Sequence, residues 1–476
     1  MSESPVTLFD VVVIGAGPAG ENVADRAVRA GLTAAVVESE LVGGECSYWA
    51  CMPSKALLRP GQALDEARAV AGARQVVGGP LDVPAVLDRR DGFASHWADR
   101  GQVEWLDSTG ITLIRGHGRL SGVRRVGVDG PDGSSTLEAG QAVVIATGSD
   151  AAVPPVAGLA ASRPWTSRDA TSSRHVPPEL VVLGGGVVGC EMAQAWSSLG
   201  SRVTVVELGD RLLPGHEPFA GEMLAGAMAS AGIDVRTGVA AEAVERDRSG
   251  RVTVRLAGGG SLEADEILVA AGRRPRTGDV GLEQVGLEPG SWLPVDDTMQ
   301  VSGVPGGWLY AVGDVNHRAL LTHQGKYQAR LCGDVIAARA RGRVDSAAWD
   351  AYSATADHAA VPSVVFTSPE VASVGHTEQS ARQAGIGVDV VDYDLGRVAG
   401  ASLYADGYRG RARMVVDARR RVVVGATFVG PGVAELLHAA TVAVVGEVPL
   451  ERLWHAVPSY PTISEVWLRL LEAYGL

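Results

Sequence analysis

The chain has 476 residues, 46% hydrophobic and 20% charged, and a formal net charge of −13. That length accommodates roughly two to four domains, each with its own core. The acidic balance and the absence of a basic run argue against a nucleic-acid partner, and no apolar run of about 18 residues reads as a membrane span.

Four cysteines in this length suit a reducing compartment, so a cytoplasmic protein is expected. The acidic start, Met1-Ser2-Glu3-Ser4-Pro5, lacks the basic and apolar segments of a signal peptide. The basic residues are 40 arginines and two lysines, Lys55 and Lys326, a bias that suggests a high-GC bacterial genome.

Phe9 to Ile14 is an apolar, β-branched run, the mark of a buried parallel strand. Gly15-Ala16-Gly17-Pro18-Ala19-Gly20 then opens a helical pattern to about Ala30. A second strand, Thr33 to Val37, ends at Glu38. Strand, glycine turn, helix, strand and acid in this order predict a dinucleotide-binding unit. Gly15, Gly17 and Gly20 let the backbone approach a pyrophosphate, and Glu38 can accept from a ribose hydroxyl.

The stretch 43 to 55 carries the chemistry: Gly43-Gly44-Glu45-Cys46-Ser47-Tyr48-Trp49-Ala50-Cys51-Met52-Pro53-Ser54-Lys55. Residues five apart do not share a helical face. A bridge needs Cα atoms within about 7 Å. Joining Cys46 to Cys51 would therefore take an irregular turn, which suggests a labile, redox-active pair. Lys55 follows one helical turn later, and a nearby cation stabilises a thiolate. Two unrelated buried thiols, or half of a metal site, are the alternatives. Cys190 and Cys332 stand alone, so no second pair at metal-like spacing exists and no metal is expected.

Helices are expected over 54–107, and strands around 111–128 and 136–145. The run 143–149 ends a strand at Thr147-Gly148, and Pro154-Pro155 suits a linker. The first pattern then recurs at a constant offset of 169 residues: Gly184, Gly186 and Gly189 repeat the glycines, and Glu207 repeats Glu38. Two such units argue for two dinucleotides. Residues 266–272, ending at Gly272, echo the 143–149 strand. Further on, 308–315 contain Gly313-Asp314, and Ala319 to Thr322 open a helix. From about 345, strand-like runs at 361–366, 388–393, 411–416 and 421–429 precede a helix over about 431–446.

With Gly-Gly-x-Cys, four residues, Cys, then Pro53-Ser54-Lys55, the chain resembles the pyridine nucleotide–disulfide oxidoreductases. That family includes dihydrolipoamide dehydrogenase, glutathione reductase and mercuric reductase. Gly313-Asp314 is similar to its second FAD motif, and Phe366 to Gly375 is similar to part of its interface domain. The resemblance implies an α/β fold with two Rossmann-like domains, for FAD and NAD, and a C-terminal α+β interface domain. The implied division is 1–155 and 276–344 for FAD, 156–275 for NAD(P), and 345–476 for a homodimer interface.

The family mechanism is a relay from NADH through FAD to the Cys46–Cys51 disulfide, and on to a disulfide or related thiol-reactive small molecule. A diaphorase-like reduction of quinones, with the cysteines secondary, is the alternative. By the same resemblance Gly43, Gly44, Thr147, Gly148, Asp314 and Thr322 serve FAD, and Gly184, Gly186, Gly189, Glu207 and Gly272 serve NAD, with NADH preferred over NADPH. Cys51 is the flavin-side sulfur, Cys46 the interchange thiol, and Lys55 pairs with Glu191.

Two departures stand out. Tyr48 and Ala50 replace the usual Asn and Gly, and Tyr48 with Trp49 is expected to make a bulky, apolar rim. At the C-terminus the family has His-Pro-Thr, two residues, Glu; here the run is Tyr460-Pro461-Thr462-Ile463-Ser464-Glu465. Tyr460, expected to complete the partner chain's active site, is a proton donor and a poor base near neutrality. His455 would reach the site only in a remodelled loop.

Overall fold

A computed structural model describes residues 6–342 and 346–476. The reading of Met1–Pro5 and the expected 344/345 boundary lie outside the described residues. The chain forms two compact units, Met1–Met52 with Asp91–Asp150 and Arg273–His358, and Pro53–Arg90 with Ala151–Gly272 and Ala359–Leu476.

In the first unit the strands run in the order Thr112–Arg115, Ala34–Glu38, Val6–Ile14, Gly133–Ile145, Arg125–Gly130, His117–Gly122, and Leu309–Ala311 pairs with Gly133–Ile145. Val6–Ile14 is parallel to both neighbours, with Ile14 opposite Val37 and Ile145. Val11, Val12 and Val13 are fully buried. Covered on both faces, the strand reads as a continuous apolar run rather than an alternation. One side packs on helices Pro18–Arg29 and Thr322–Ala340 through Val23, Ala27, Ala329 and Val335. Because the parallel strands end together at Ile14, Val37 and Ile145, the glycine turn and Thr147-Gly148 emerge at one sheet edge.

The second unit repeats the theme. Asp234–Arg236, Arg202–Val206, Glu179–Leu183 and Glu266–Val269 form a parallel sheet, next to an antiparallel sheet of Ala241–Arg246, Val252–Leu256 and Ser261–Ala264. Helix Val187–Ser198 covers it, with Trp196 fully buried. The C-terminal part is a five-stranded antiparallel sheet, ordered Pro362–Val365, Glu370–Gly375, Val422–Gly430, Arg411–Asp417, Val388–Asp394. The expected class is what forms: two Rossmann-like domains and a C-terminal α+β domain. Two details differ from the sequence pattern. Glu370–Gly375 is a strand that the apolar runs did not register, and the helix expected from 431 begins as a 3-10 turn, Val433–Leu436, before Leu437–Val445.

Candidate active site

The two glycine turns are built alike, in register with the 169-residue offset. Glu38 accepts from the Ala16 and Glu40 amides, both at 2.8 Å. Glu207 accepts from the Gly185 and Gly209 amides at 2.5 and 2.6 Å. Each acid thus holds its own turn. Gly15 (φ +102°) and Gly184 (φ +112°) occupy the left-handed region, and a Cβ on either would strike a backbone carbonyl, that of Ala146 or of Ala270. A Cβ on Gly20 or Gly189 would collide with the carbonyl of Gly15 or Gly184.

The cysteine turn is anchored on the first of these loops. The Gly43 amide donates to the Ala16 carbonyl at 2.8 Å, and a Cβ on Gly44 would lie 2.9 Å from Gly17 Cα. Gly43 and Gly44 both have positive φ. A short helix, Gly44–Tyr48, stops at Trp49 (φ −136°), and the next, Cys51–Arg68, begins at Cys51. The break between the cysteines supplies the irregular turn that their spacing requires.

Both cysteines are thiols here, and they share a hydrogen bond. That bond, then burial, pushes the Cys46 thiol up; a hydrogen bond from Thr322 works the other way. Thr322 Oγ1 also lies 3.2 Å from Cys51 Sγ. Cys190 and Cys332 are buried, and burial pushes both thiols up.

Tyr48 corrects an expectation. It is not a rim residue: it is fully buried, with its hydroxyl donating to the Val42 carbonyl at 3.0 Å and its ring edge-on to Trp49 at 5.7 Å. The side chain is turned into the fold because the short helix must bury one face, and only Trp49 is left partly exposed.

Asp314 follows Gly313 in a 3-10 turn, Gly313–Asn316. Its Oδ2 accepts from Ser149 Oγ at 2.6 Å and lies 3.6 Å from Arg273 Nε. The Gly313 amide donates to Gln328 Oε1 at 3.0 Å, tying this turn to helix Thr322–Ala340. Ser149, Arg273 and Gln328 escaped sequence reasoning. Ser149 and Arg273 directly follow Gly148 and Gly272, which is the one signal that could have found them.

Within the second unit Lys55 Nζ lies 2.6 Å from Glu191 Oε2, and Glu191 is 3% exposed. Glu191 Oε1 accepts from the Phe366 amide at 2.9 Å, and the Phe366 ring sits 4.9 Å from Lys55 Nζ. Gln194 grips the Ser368 backbone at both its amide and its carbonyl, 2.7 and 2.8 Å, and so fixes the segment carrying Phe366. At the C-terminus Tyr460 is 76% exposed, whereas Glu465 is buried. Glu465 Oε1 accepts from Arg469 at 2.5 Å, and its buried Oε2 has no partner. His455 is exposed.

These features fit the groups the sequence calls for. Thr147 Oγ1 is buried without a partner, beside the first glycine turn. Gly186 has nothing within 4 Å of its Cβ direction, leaving room for a ligand's backbone approach. Among the described residues no three His, Cys, Asp or Glu side chains gather as metal ligands, and no helix is long and apolar enough to cross a membrane.

Known proteins give the context. Residues 9–330 match the pyridine nucleotide-disulphide oxidoreductase family, and residues 361–470 match the dimerisation domain of pyridine nucleotide-disulphide oxidoreductases. A dihydrolipoyl dehydrogenase of Thermus scotoductus is 34% identical over 98% of this chain and 97% of its own. Dihydrolipoyl dehydrogenase 3 of Pseudomonas aeruginosa is 34% identical over 96% of each chain. The crystal structure of LpdA from Mycobacterium tuberculosis superposes with a TM-score of 0.83 at 26% identity, over 99% of this chain and 100% of that one. The flavoprotein disulfide reductase RclA of Escherichia coli, at 23% identity and a TM-score of 0.83, covers 99% of both chains and shares the fold.

Proposed function

The chain belongs to the pyridine nucleotide–disulphide oxidoreductase family, and from that premise we propose that it reduces a small disulfide, or a related thiol-reactive acceptor, with NADH. It is an FAD-dependent oxidoreductase that uses a pyridine nucleotide, and its dimerisation domain makes it a homodimer. FAD, when bound, supplies the two-electron step between nicotinamide and sulfur. In this reading residues 1–155 and 276–344 hold FAD, 156–275 hold the nicotinamide nucleotide, and 345–476 form the interface. The glycine turn with Glu38, Thr147-Gly148 and Asp314 serve FAD; the second turn with Glu207 serves NAD. We place the enzyme in the cytoplasm, where reduced thiols persist.

The observation that carries the reading is the cysteine turn. A helix break brings the two sulfurs into hydrogen-bond contact, with the Thr322 hydroxyl on both. Cys46 attacks the acceptor sulfur, its own S–S bond to the acceptor forms, and the first acceptor thiolate leaves with a proton. Cys51 then attacks Cys46, closing the Cys46–Cys51 bridge and releasing the second thiol. Lys55, fixed by Glu191, follows Cys51 by four residues in the sequence, a spacing at which a cation favours a thiolate. Tyr460, exposed at the end of the interface domain, donates the proton to the leaving thiolate from the partner subunit. The Tyr460 substitution disfavours the dithiol-oxidising direction, which needs a base.

NADH preference rests on Glu207, whose carboxylate would repel a 2′-phosphate. Arg211 does not offset it, because its guanidinium donates to the Pro214 and His216 carbonyls, both at 2.9 Å. The test is anaerobic reduction by NADH, followed by a panel of low-molecular-weight disulfides, lipoamide, quinones and Hg(II), with Cys46→Ser alongside. Disulfide turnover lost in the Cys46 variant supports the reading. Quinone turnover that survives in Cys46→Ser, with no disulfide reduced by the wild type, sinks it in favour of a diaphorase.

A further inference from the structure

The cysteine turn has a second anchor besides the Gly43 amide. Arg276, just past strand Arg273–Pro275, reaches three carboxylates from two segments, Glu40 and Glu45 around the short helix and Asp150 in strand Ser149–Ala151. Its guanidinium donates to Glu45 Oε1 at 2.6 Å and to Asp150 Oδ1 at 2.5 Å, and lies 3.8 Å from Glu40 Oε2. Its own amide donates to the Gly148 carbonyl at 3.0 Å. Glu45 immediately precedes Cys46 in the helix Gly44–Tyr48. The Arg276 side chain is 27% exposed and that of Glu45 21%, so the pair is only partly screened by water.

We propose that Arg276 is a positioning residue for the redox pair, holding the Cys46-bearing turn through Glu45 and neutralising the carboxylates beside it. The proposal rests on the reading that Cys46 is the interchange thiol. Three carboxylates around one guanidinium leave a net negative charge beside the turn that carries that thiol. Removing Arg276 would deepen it, disfavour the thiolate and release the turn. A five-residue helix cannot hold its own geometry, since helices this short are marginal without tertiary ties. The anchors at Gly43 and Glu45 bracket Gly44 and fix the direction in which the helix presents Cys46.

The experiment is the rate of Cys46 alkylation by iodoacetamide in the NADH-reduced holoenzyme across pH, resolved by peptide mass spectrometry. Flavin content and Tm are measured in parallel for wild type, Arg276→Gln, Arg276→Lys, Glu45→Gln and the double variant Glu45→Gln/Arg276→Gln. Arg276→Gln should move the alkylation profile to higher pH and slow the reaction about 10-fold at pH 7.5, as one unit of thiol shift requires. Arg276→Lys should recover part of the loss. The double variant should lie closer to wild type than Arg276→Gln alone, because the unpaired Glu45 charge is gone. A profile for Arg276→Gln that overlays the wild type overturns the proposal. So does a lower Tm with Gln and Lys variants alkylated alike, which would make Arg276 a stability residue only. Since alkylation needs no acceptor, a failed acceptor panel with the expected alkylation shifts would count against the function and not against Arg276.

Discussion

Thr322 Oγ1 stands 3.2 Å from Cys51 Sγ, and the same hydroxyl bonds to Cys46. Thr322 is the first residue of a 19-residue helix, so the positive end of that helix lies beside Cys51. One side chain thereby couples the redox couple to an element 271 residues away in the chain. Thr322→Val removes a contribution that holds the Cys46 thiol down, so its alkylation profile should move to higher pH. A hydrogen bond is worth about 0.5–1.5 kcal/mol, which sets a slowing of roughly 2- to 10-fold at pH 7.5. Thr322→Ser, which keeps the hydroxyl, should stay within about 2-fold of wild type.

The two glycine turns should separate two losses. Gly20→Ala places a methyl against the Gly15 carbonyl and should yield protein depleted of flavin. Gly189→Ala places one against the Gly184 carbonyl and should leave yellow enzyme that NADH reduces slowly or not at all. Flavin-to-protein ratio and stopped-flow absorbance read both outcomes. Colourless Gly189→Ala enzyme would show that the assignment of the turns is reversed.

Coenzyme preference should follow Glu207 and ignore Arg211. Glu207→Ser should shift the NADPH/NADH ratio of kcat/KM toward NADPH by about 5-fold, since one surface charge pair is worth on the order of 1 kcal/mol in water. Arg211→Ala should change that ratio by less than about 2-fold, because its guanidinium already serves two carbonyls. A large drop in NADPH use by Arg211→Ala would reassign phosphate recognition to that residue.

Tyr460 should make dihydrolipoamide oxidation slow near pH 7. General acid–base catalysis contributes roughly 10²- to 10⁴-fold, and Tyr460→His should recover part of that range. Glu465 Oε2, buried and without a partner, is available to orient a new imidazole from the same loop. Tyr460→Phe should slow reduction of the true acceptor by more than about 10-fold if the hydroxyl is the proton donor. Fast oxidation of dihydrolipoamide by the wild type would point instead to His455 or another base.

The sequence carried the order of elements because each rests on a local requirement. Gly15, Gly17 and Gly20 are legible since a left-handed turn against a carbonyl admits no Cβ, and that constraint is written in consecutive residues. Val11 to Val13 are legible since a strand buried on both faces must be apolar throughout. The 169-residue repeat in Gly184 to Gly189 and Glu207 is the same local physics stated twice. The spacing of Cys46 and Cys51 already demanded an irregular turn, and the helix stops at Trp49 to make it.

What the sequence could not decide is where side chains without a periodic pattern come to rest. Tyr48 reads as a rim residue beside Trp49, and only packing around Val42 and Trp49 turned it inward. Arg276 meets Glu45 across 231 residues, and Ser149 meets Asp314 across 165. Neither pairing leaves a trace in local composition, because an arginine or a serine costs nothing to place until a partner's position is known. The sequence by itself determined the two dinucleotide units, the cysteine motif and the tyrosine at the C-terminal frame, through short-range sterics and patterned burial. The tertiary structure alone decided which carboxylates surround Arg276 and which hydroxyl meets the sulfurs. Those contacts exist only once distant segments are fixed at hydrogen-bond distance, and a hydrogen bond or ion pair falls off within a few ångströms.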